Sequence, residues 1–198
     1  MNYVVFDMEW NQPSSKDEKI TEPISLCGEV IQIGAVRLDE NFNITGTFNV
    51  MVKPVYYVKM NSAVKKLTGI GDEMLMTGIS FPEAYERFTE FCGKDFCLMS
   101  WGNDDIIVLR ENMTVHGIST DIFPDTYNLQ RIFGRQVAKT KKQISLEDAV
   151  DMLSEPPYVA HDALNDAVSA ARVCRHLDLT KEAATVRSRP KRRRLQRV

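Results

Sequence analysis

With 198 residues, 43% hydrophobic and 26% charged, the chain has the proportions of one globular domain with a single sizeable core. No uninterrupted apolar stretch approaches the roughly 18 residues of a membrane span, and the N-terminus has neither a basic leader nor a long apolar segment, so a cytoplasmic protein is expected and a membrane protein excluded. The net charge of −2 is the sum of +7 on Arg187–Val198, which contains no acid, and −9 on residues 1–186, a body too acidic to hold nucleic acid unless bound cations neutralise some of its carboxylates.

In chain order, Tyr3-Val4-Val5-Phe6 predicts a buried central strand that stops at Asp7, leaving Asp7 and Glu9 at its C-terminal end. Residues 11–26 are polar, hold Pro13 and Pro23, show no periodicity, and read as an exposed, mobile loop beside that strand end. A strand is expected over Glu29–Leu38 and its partner over Phe48–Val52, across a turn at Asp39–Asn43. Ser80-Phe81-Pro82-Glu83 is a capping-box pattern, and Ala84, Tyr85, Phe88, Phe91 and Cys92 follow at helical spacing. Phe96–Ser100 reads as the next strand, from which Trp101-Gly102 turns the chain into a helix capped by Asn103 or Asp104, with Asp105 in its first turn.

Further on, a short strand is expected at Asp121–Pro124, a helix at Asn128–Phe133, and another from Ser145 that Pro156 and Pro157 terminate. Leu164, Ala167, Val168, Ala171, Cys174 and Leu177 trace one face of a long helix that opens at Asp162, and no pattern continues after Leu179. The order of elements suits an α/β domain with a mixed sheet. Cys27, Cys92, Cys97 and Cys174 form no C-x-x-C pair and no zinc-knuckle spacing, so they read as reduced, mostly buried thiols.

Asp7-Met8-Glu9 places two carboxylates at alternate strand positions, hence on one side, where two close anions call for a cation. The pair alone is a common pattern, and HAD-type phosphatases also carry an aspartate at a strand end, although their second acid is normally aspartate rather than Glu9. Asp104 and Asp105 sit where a helix N-terminus tolerates negative charge, which plain N-capping also explains. In His161-Asp162-Ala163-Leu164-Asn165-Asp166, five helical residues would turn the chain about 140°, so His161 must precede the helix for it to share a site with Asp166. A histidine there has the freedom a general base needs, whereas His116 and His176 lie in ordinary amphipathic contexts.

Taken in order, Asp7, Glu9, Asp105, His161 and Asp166 resemble the DnaQ-like exonucleases of the DEDDh type, over residues 2 to about 178. "EVIQIGAV" at 29–36, "KP" at 53–54 and "LTGI" at 67–70 are similar to stretches of that family in the same order. The four-residue gap between His161 and Asp166 matches the histidine subclass; Tyr158 and Asp162 have the three-residue gap of the tyrosine subclass, but "H-x-A-L-x-D-A" favours the former. Trp101-Gly102 ahead of Asp105 points to the Eri-like and KapD-like exoribonucleases. The chain departs from many relatives in carrying Trp10 where they have threonine, and Asp104 competes with Asp105, which is preferred because it stands four residues before Leu109.

The resemblance implies an RNase H-like fold, with a mixed sheet of about five strands flanked by helices, over residues 1–179, followed by a basic tail at 180–198. It implies two Mg2+ ions, with Mn2+ able to substitute, held by Asp7, Glu9, Asp105 and Asp166: Asp7 bridging both, Glu9 and Asp166 completing one, Asp105 holding the other partly through water. His161 would take the proton from the attacking water. The implied reaction is 3′→5′ removal of nucleoside 5′-monophosphates from single-stranded RNA ends, with a DNA-directed exonuclease as the runner-up. A phosphatase would leave His161 without a role, and a noncatalytic RNA-binding module would have no use for all five residues. Met8 and Trp10 beside the acids are candidates to flank the terminal base, with core packing an equal reading for Met8, and Arg131, Arg135, Lys139, Lys141 and Lys142 form an acid-free segment suited either to the RNA backbone or to a solvated loop. Arg189–Arg194 reads as a nonspecific RNA tether.

Overall fold

A computed structural model describes residues 2–121 and 123–184. Five strands, β1 (Asn2–Asn11), β2 (Glu29–Leu38), β3 (Ile44–Met51), β4 (Phe96–Ser100) and β5 (Thr126–Asn128), form one mixed sheet in the order β3-β2-β1-β4-β5. The first three make an antiparallel meander, while β4 and β5 run parallel to β1.

Two short helices, α1 (Ser62–Thr68) and α2 (Asp72–Met76), follow β3 and lie outside the sequence expectation. α1 buries no residue and therefore carries no apolar stripe; its marks are the Asn61 side-chain cap on the Ala63 amide and the left-handed Gly69.

Side-chain alternation along β1 sorts the two faces of the sheet. Val4, Phe6 and Met8 point into a cluster with Phe81, Ala84 and Phe88 of α3 (Phe81–Cys92) and with Val108, Leu109 and Met113 of α4 (Asp104–Val115). Val5 points to the opposite face, where it meets Phe133 of α5 (Leu129–Gln136), Ala149 of α6 (Leu146–Met152), and Ala170, Ala171 and Cys174 of α7 (Ala163–Cys174). Asp7 and Glu9 share the face of Val5, so the fold aims both carboxylates at the side that α7 covers.

Several boundaries differ from those expected. β1 does not stop at Asp7: it runs on to Asn11 paired with β2, and what ends at Val5 is its pairing with β4. β3 begins at Ile44 and leaves Val52 in an isolated bridge to Ile79. The short strand lies at Thr126–Asn128 rather than 121–124, and α6 ends at Met152, ahead of the prolines, with Ser154 at a positive φ of 56°. α7 ends at Cys174, although Leu177 and Leu179 beyond it are buried, and Glu182 bonds to Arg135 and Gln136. The 11–26 segment is docked: Leu26 is fully buried, and the Tyr57 hydroxyl accepts from the Ile20 amide and donates to the Leu26 carbonyl. Cys92, Cys97 and Cys174 are buried free thiols, whereas Cys27 is exposed. The basic run Arg187–Val198 lies outside the described residues.

Candidate active site

Because β4 leaves β1 after Val5, the edge of β1 is open beside Asp7 and Glu9. The Met8 amide on this edge donates to Asp105 Oδ1 at 3.1 Å, so α4 brings its first-turn carboxylate to the strand. Asp105 is 4% exposed, while Asp104 stands on the exposed rim. Asn103 precedes the helix but makes no capping bond; its Oδ1 accepts from the Asn128 side chain at 3.0 Å.

On the other side, α7 presses its first turn on β2. Gly34, paired with Asp7, permits this, since a Cβ there would lie 2.2 Å from the Ala163 carbonyl carbon and the Leu164 nitrogen. Gln32, paired with Glu9 and 3% exposed, ties the same turn down: it donates to Asp162 Oδ2 and accepts from the Ala163 amide, both at 3.2 Å. Asp162 caps α7 through the Asn165 amide, and its own amide donates to Asp166 Oδ2 at 3.1 Å. His161 immediately before the cap is exposed and held at φ 62°, a left-handed conformation uncommon for a residue with a side chain and frequent at functional sites.

Asp7, Glu9 and Asp166 each offer a carboxylate oxygen, and these oxygens lie within 4.8 Å of one another. Asp105 stands outside that tight set but lines the same cleft of about 570 Å3, together with His161, Trp10 and Trp101. No Lys or Arg lines the cleft among the described residues. Asp166 is held by the Asp162 amide, whereas Asp7 and Glu9 have no protein donor among the described residues. Burial first, and then repulsion from the other acids, pushes the Asp7 carboxyl well up and that of Glu9 to about 8. Burial likewise raises Asp105 to about 7 against the pull of the Met8 amide, and raises Asp166 despite its hydrogen bonds.

Mutually repelling, at least half-buried carboxylates with no cation lining the cleft among the described residues fit a bound divalent ion, and an all-oxygen donor set fits the hard ions Mg2+ or Mn2+. The groups expected from sequence to act together therefore converge, but the expected substrate contacts divide. Trp10 lines the cleft and rests on Gly28, where a Cβ would come 2.2 Å from its Cδ1. Met8 borders the cleft too, but of the two readings open for its side chain the structure has the core one: alternation sends it to the opposite face of the sheet, where it is 2% exposed, while its amide serves Asp105. Arg131 and Arg135 border a separate depression, and Arg135 pairs with Glu182. His116 stacks on Phe81 and His176 pairs with Glu155, both away from the cleft.

Two contributors to the site were not expected from sequence: the tether at Gln32 and the cleft wall that α1 supplies through Ala63, Val64 and Leu67. "EVIQIGAV" and "LTGI" contain these residues or adjoin them, but the contacts they make span the chain.

The exonuclease family model (RNase_T) matches residues 4–174. The chain is 25% identical over 172 residues to the PolC-type DNA polymerase III of Caldanaerobacter subterraneus, covering 86% of itself and only 11% of that relative. It is 24% identical over 110 residues to the probable 3′-5′ exonuclease KapD of Bacillus subtilis, covering 55% of itself and 51% of KapD. Its fold superposes with a TM-score of 0.77 on the nuclease domain of 3′hExo, a DEDDh family member bound to rAMP, at 18% identity and over 88% of this chain and 90% of that one. With the family model spanning most of its length, the chain belongs to the exonuclease family, and it shares the fold of a DEDDh member.

Proposed function

We propose that the protein is a divalent-metal-dependent 3′→5′ exoribonuclease that releases nucleoside 5′-monophosphates from single-stranded RNA ends. The observation that carries this reading is the trio Asp7, Glu9 and Asp166, with oxygens within 4.8 Å and no protein cation, beside His161. Asp7, Glu9, Asp105 and Asp166 would hold the ions, preferably Mg2+, whose chemistry is to acidify water and to stabilise charge on the phosphate and the leaving 3′-oxygen. His161 takes the proton as water adds to phosphorus and the P–O3′ bond breaks. Asp162 and Gln32 keep His161 and Asp166 over the strand carboxylates.

Trp10 and the 56%-exposed Leu67 both line the cleft and would offer an apolar seat for the terminal base. RNA is preferred over DNA on the resemblance to the KapD-like and Eri-like enzymes and on rAMP in 3′hExo, while the match to PolC supports a DNA-directed activity as the second reading. No helix among the described residues is long and apolar enough to cross a membrane, and a cytoplasmic setting is proposed with the free thiols as its support. The basic run Arg187–Val198 is proposed as a nonspecific RNA tether, so truncation after Ala184 should weaken RNA binding at low salt.

The test is release of mononucleotides from 3′-labelled single-stranded RNA and matched DNA with Mg2+, using wild type and Asp7→Asn. Metal-dependent release from RNA first, lost in the variant, is expected. Faster release from DNA would move the assignment to the second reading, and equal rates for the two proteins would remove the metal-site reading.

A further inference from the structure

Beside the cleft lies a second depression of about 420 Å3, and it differs from the cleft in charge. Arg131, Lys141 and Lys142 border it and have no ion-pair partner among the described residues, and none of its lining residues is acidic. Side-chain amides of Asn103, Asn128 and Gln130 complete its edge. A cationic concavity on a body whose first 186 residues sum to −9 is a local departure from the field of the whole chain.

The segment that carries the lysines is built onto the fold. The Thr140 amide donates to the Gly134 carbonyl at 2.8 Å, and the Lys142 amide donates to Thr140 Oγ1 at 3.1 Å. Gly134 allows this return, because a Cβ there would meet the Thr140 oxygen at 3.0 Å. The depression and the cleft are also linked: the Ile144 carbonyl accepts from Nε1 of Trp101, a residue lining the cleft, and from Nε2 of Gln130, a residue lining the depression. Asn103 borders the depression, and the next two residues, Asp104 and Asp105, border the cleft.

We propose that this depression is a second strand-binding subsite. It takes a backbone phosphate of the strand whose 3′ end occupies the cleft, on the 5′ side of that end, and the amides contact the attached sugar or base edge. The inference rests on the exonuclease reading and adds a length requirement to it. Cations and amides around a space of nucleotide size suit a phosphodiester unit better than an apolar ligand, and neighbouring phosphates on one strand can bridge two adjoining pockets.

The test compares wild type with the triple variant R131A/K141A/K142A, all three positions being exposed and none of them lining the cleft. Binding of a fluorescent tetranucleotide and of a single strand of roughly 20 nucleotides, beyond the roughly 4–16 of single-strand sites, is measured by anisotropy in Ca2+. Hydrolysis of the p-nitrophenyl ester of thymidine 5′-monophosphate in Mg2+ reads the cleft alone. The variant is expected to bind the long strand about tenfold more weakly, with a shallower salt dependence, and to match wild type on the tetranucleotide and the ester. Unchanged long-strand affinity, or equal losses on both lengths, overturns the subsite. A loss confined to duplexes with a 3′ overhang also overturns it, by assigning the depression to the opposite strand. If wild type fails to cleave the ester or any strand, the exonuclease reading fails, while the anisotropy still decides the subsite.

Discussion

The protein holds buried or half-buried carboxylates in two regions and treats them in opposite ways. Glu29, 2% exposed at the start of β2, accepts the backbone amides of Val55, Tyr56 and Tyr57 at 2.5–3.0 Å. Burial raises its carboxyl, and the three amides pull it back. Asp7 and Glu9, on the neighbouring strand, receive no such donors among the described residues and face other acids instead. A buried carboxylate satisfied by the chain is a structural anchor, whereas one left facing its own kind marks a place for something the chain does not supply. Glu29 also serves the site at a distance: with Asn11, which bonds Tyr57, Lys59 and Asn61, it fixes the loop that delivers α1 to the cleft wall.

The sharpest way to break this contrast is to neutralise one member of each region. Asp7→Asn should lower turnover by about 10³-fold or more, since a ligand to the metals is lost. In metal-free buffer near neutral pH the same variant should melt higher than wild type, because the folded state no longer has to hold a proton on a carboxyl that the unfolded chain ionises. Glu29→Ala should do the reverse, costing about 3 kcal/mol of stability by leaving buried amides unpaired, with turnover of the folded fraction much less affected. Activity and melting curves in EDTA check both, and an Asp7→Asn variant as unstable as Glu29→Ala would make the strand carboxylates structural. His161→Ala should cost about 10²–10⁴ in turnover while leaving Mn2+ binding by calorimetry unchanged, because it touches proton transfer rather than the ion.

What could be read in the sequence follows the same division. The groups proposed for chemistry were legible because local pattern and a family resemblance carry them: alternation puts Asp7 and Glu9 on one side and the helical repeat puts His161 ahead of α7, while the resemblance joins them with Asp105 and Asp166. The anchors were not, because each depends on contacts between distant segments. Gln32 reaches Asp162 across 130 residues, and nothing local marks Glu29 as the holder of a loop near residue 56. α1 and α2 are too short for a periodic signal, and the three-residue β5 exists because β4 is there to pair with it. Met8 is the instructive case: the alternation that pairs Asp7 with Glu9 also sends Met8 to the opposite face, so its adjacency in sequence misleads.

The pH dependence of stability sharpens the contrast further. In metal-free protein, Glu9 is raised to about 8 and Asp105 to about 7, from ordinary values of 4.5 and 3.8. Folding then retains protons that the unfolded chain has released, so stability is fullest below about pH 4 for these groups and falls as pH rises through 7 to 8. Mn2+ should remove most of that decline by favouring the ionised forms. Melting temperatures across this range, with EDTA and with Mn2+, test it; a metal-free curve that rises towards pH 8 would contradict the assigned directions.

The smallest expected effect concerns the link between the strand acids and the helix that faces them. Gln32→Met keeps the volume but removes both amide contacts to the start of α7, along with the bond to Asn49. About 1–2 kcal/mol of stability should be lost. The close packing at Gly34 remains, so α7 should stay docked with its first turn less fixed. That loosening acts on His161 and Asp166 together, and a small misplacement of such groups lowers turnover more than it weakens substrate binding. A roughly tenfold fall in kcat with KM little changed is therefore expected, partly reversed by Gln32→Glu only if the acceptor to the Ala163 amide matters more than the donor to Asp162. A methionine variant with wild-type kcat would leave Gly34 as the sole positioning contact and reduce the Gln32 amide to a stabilising one.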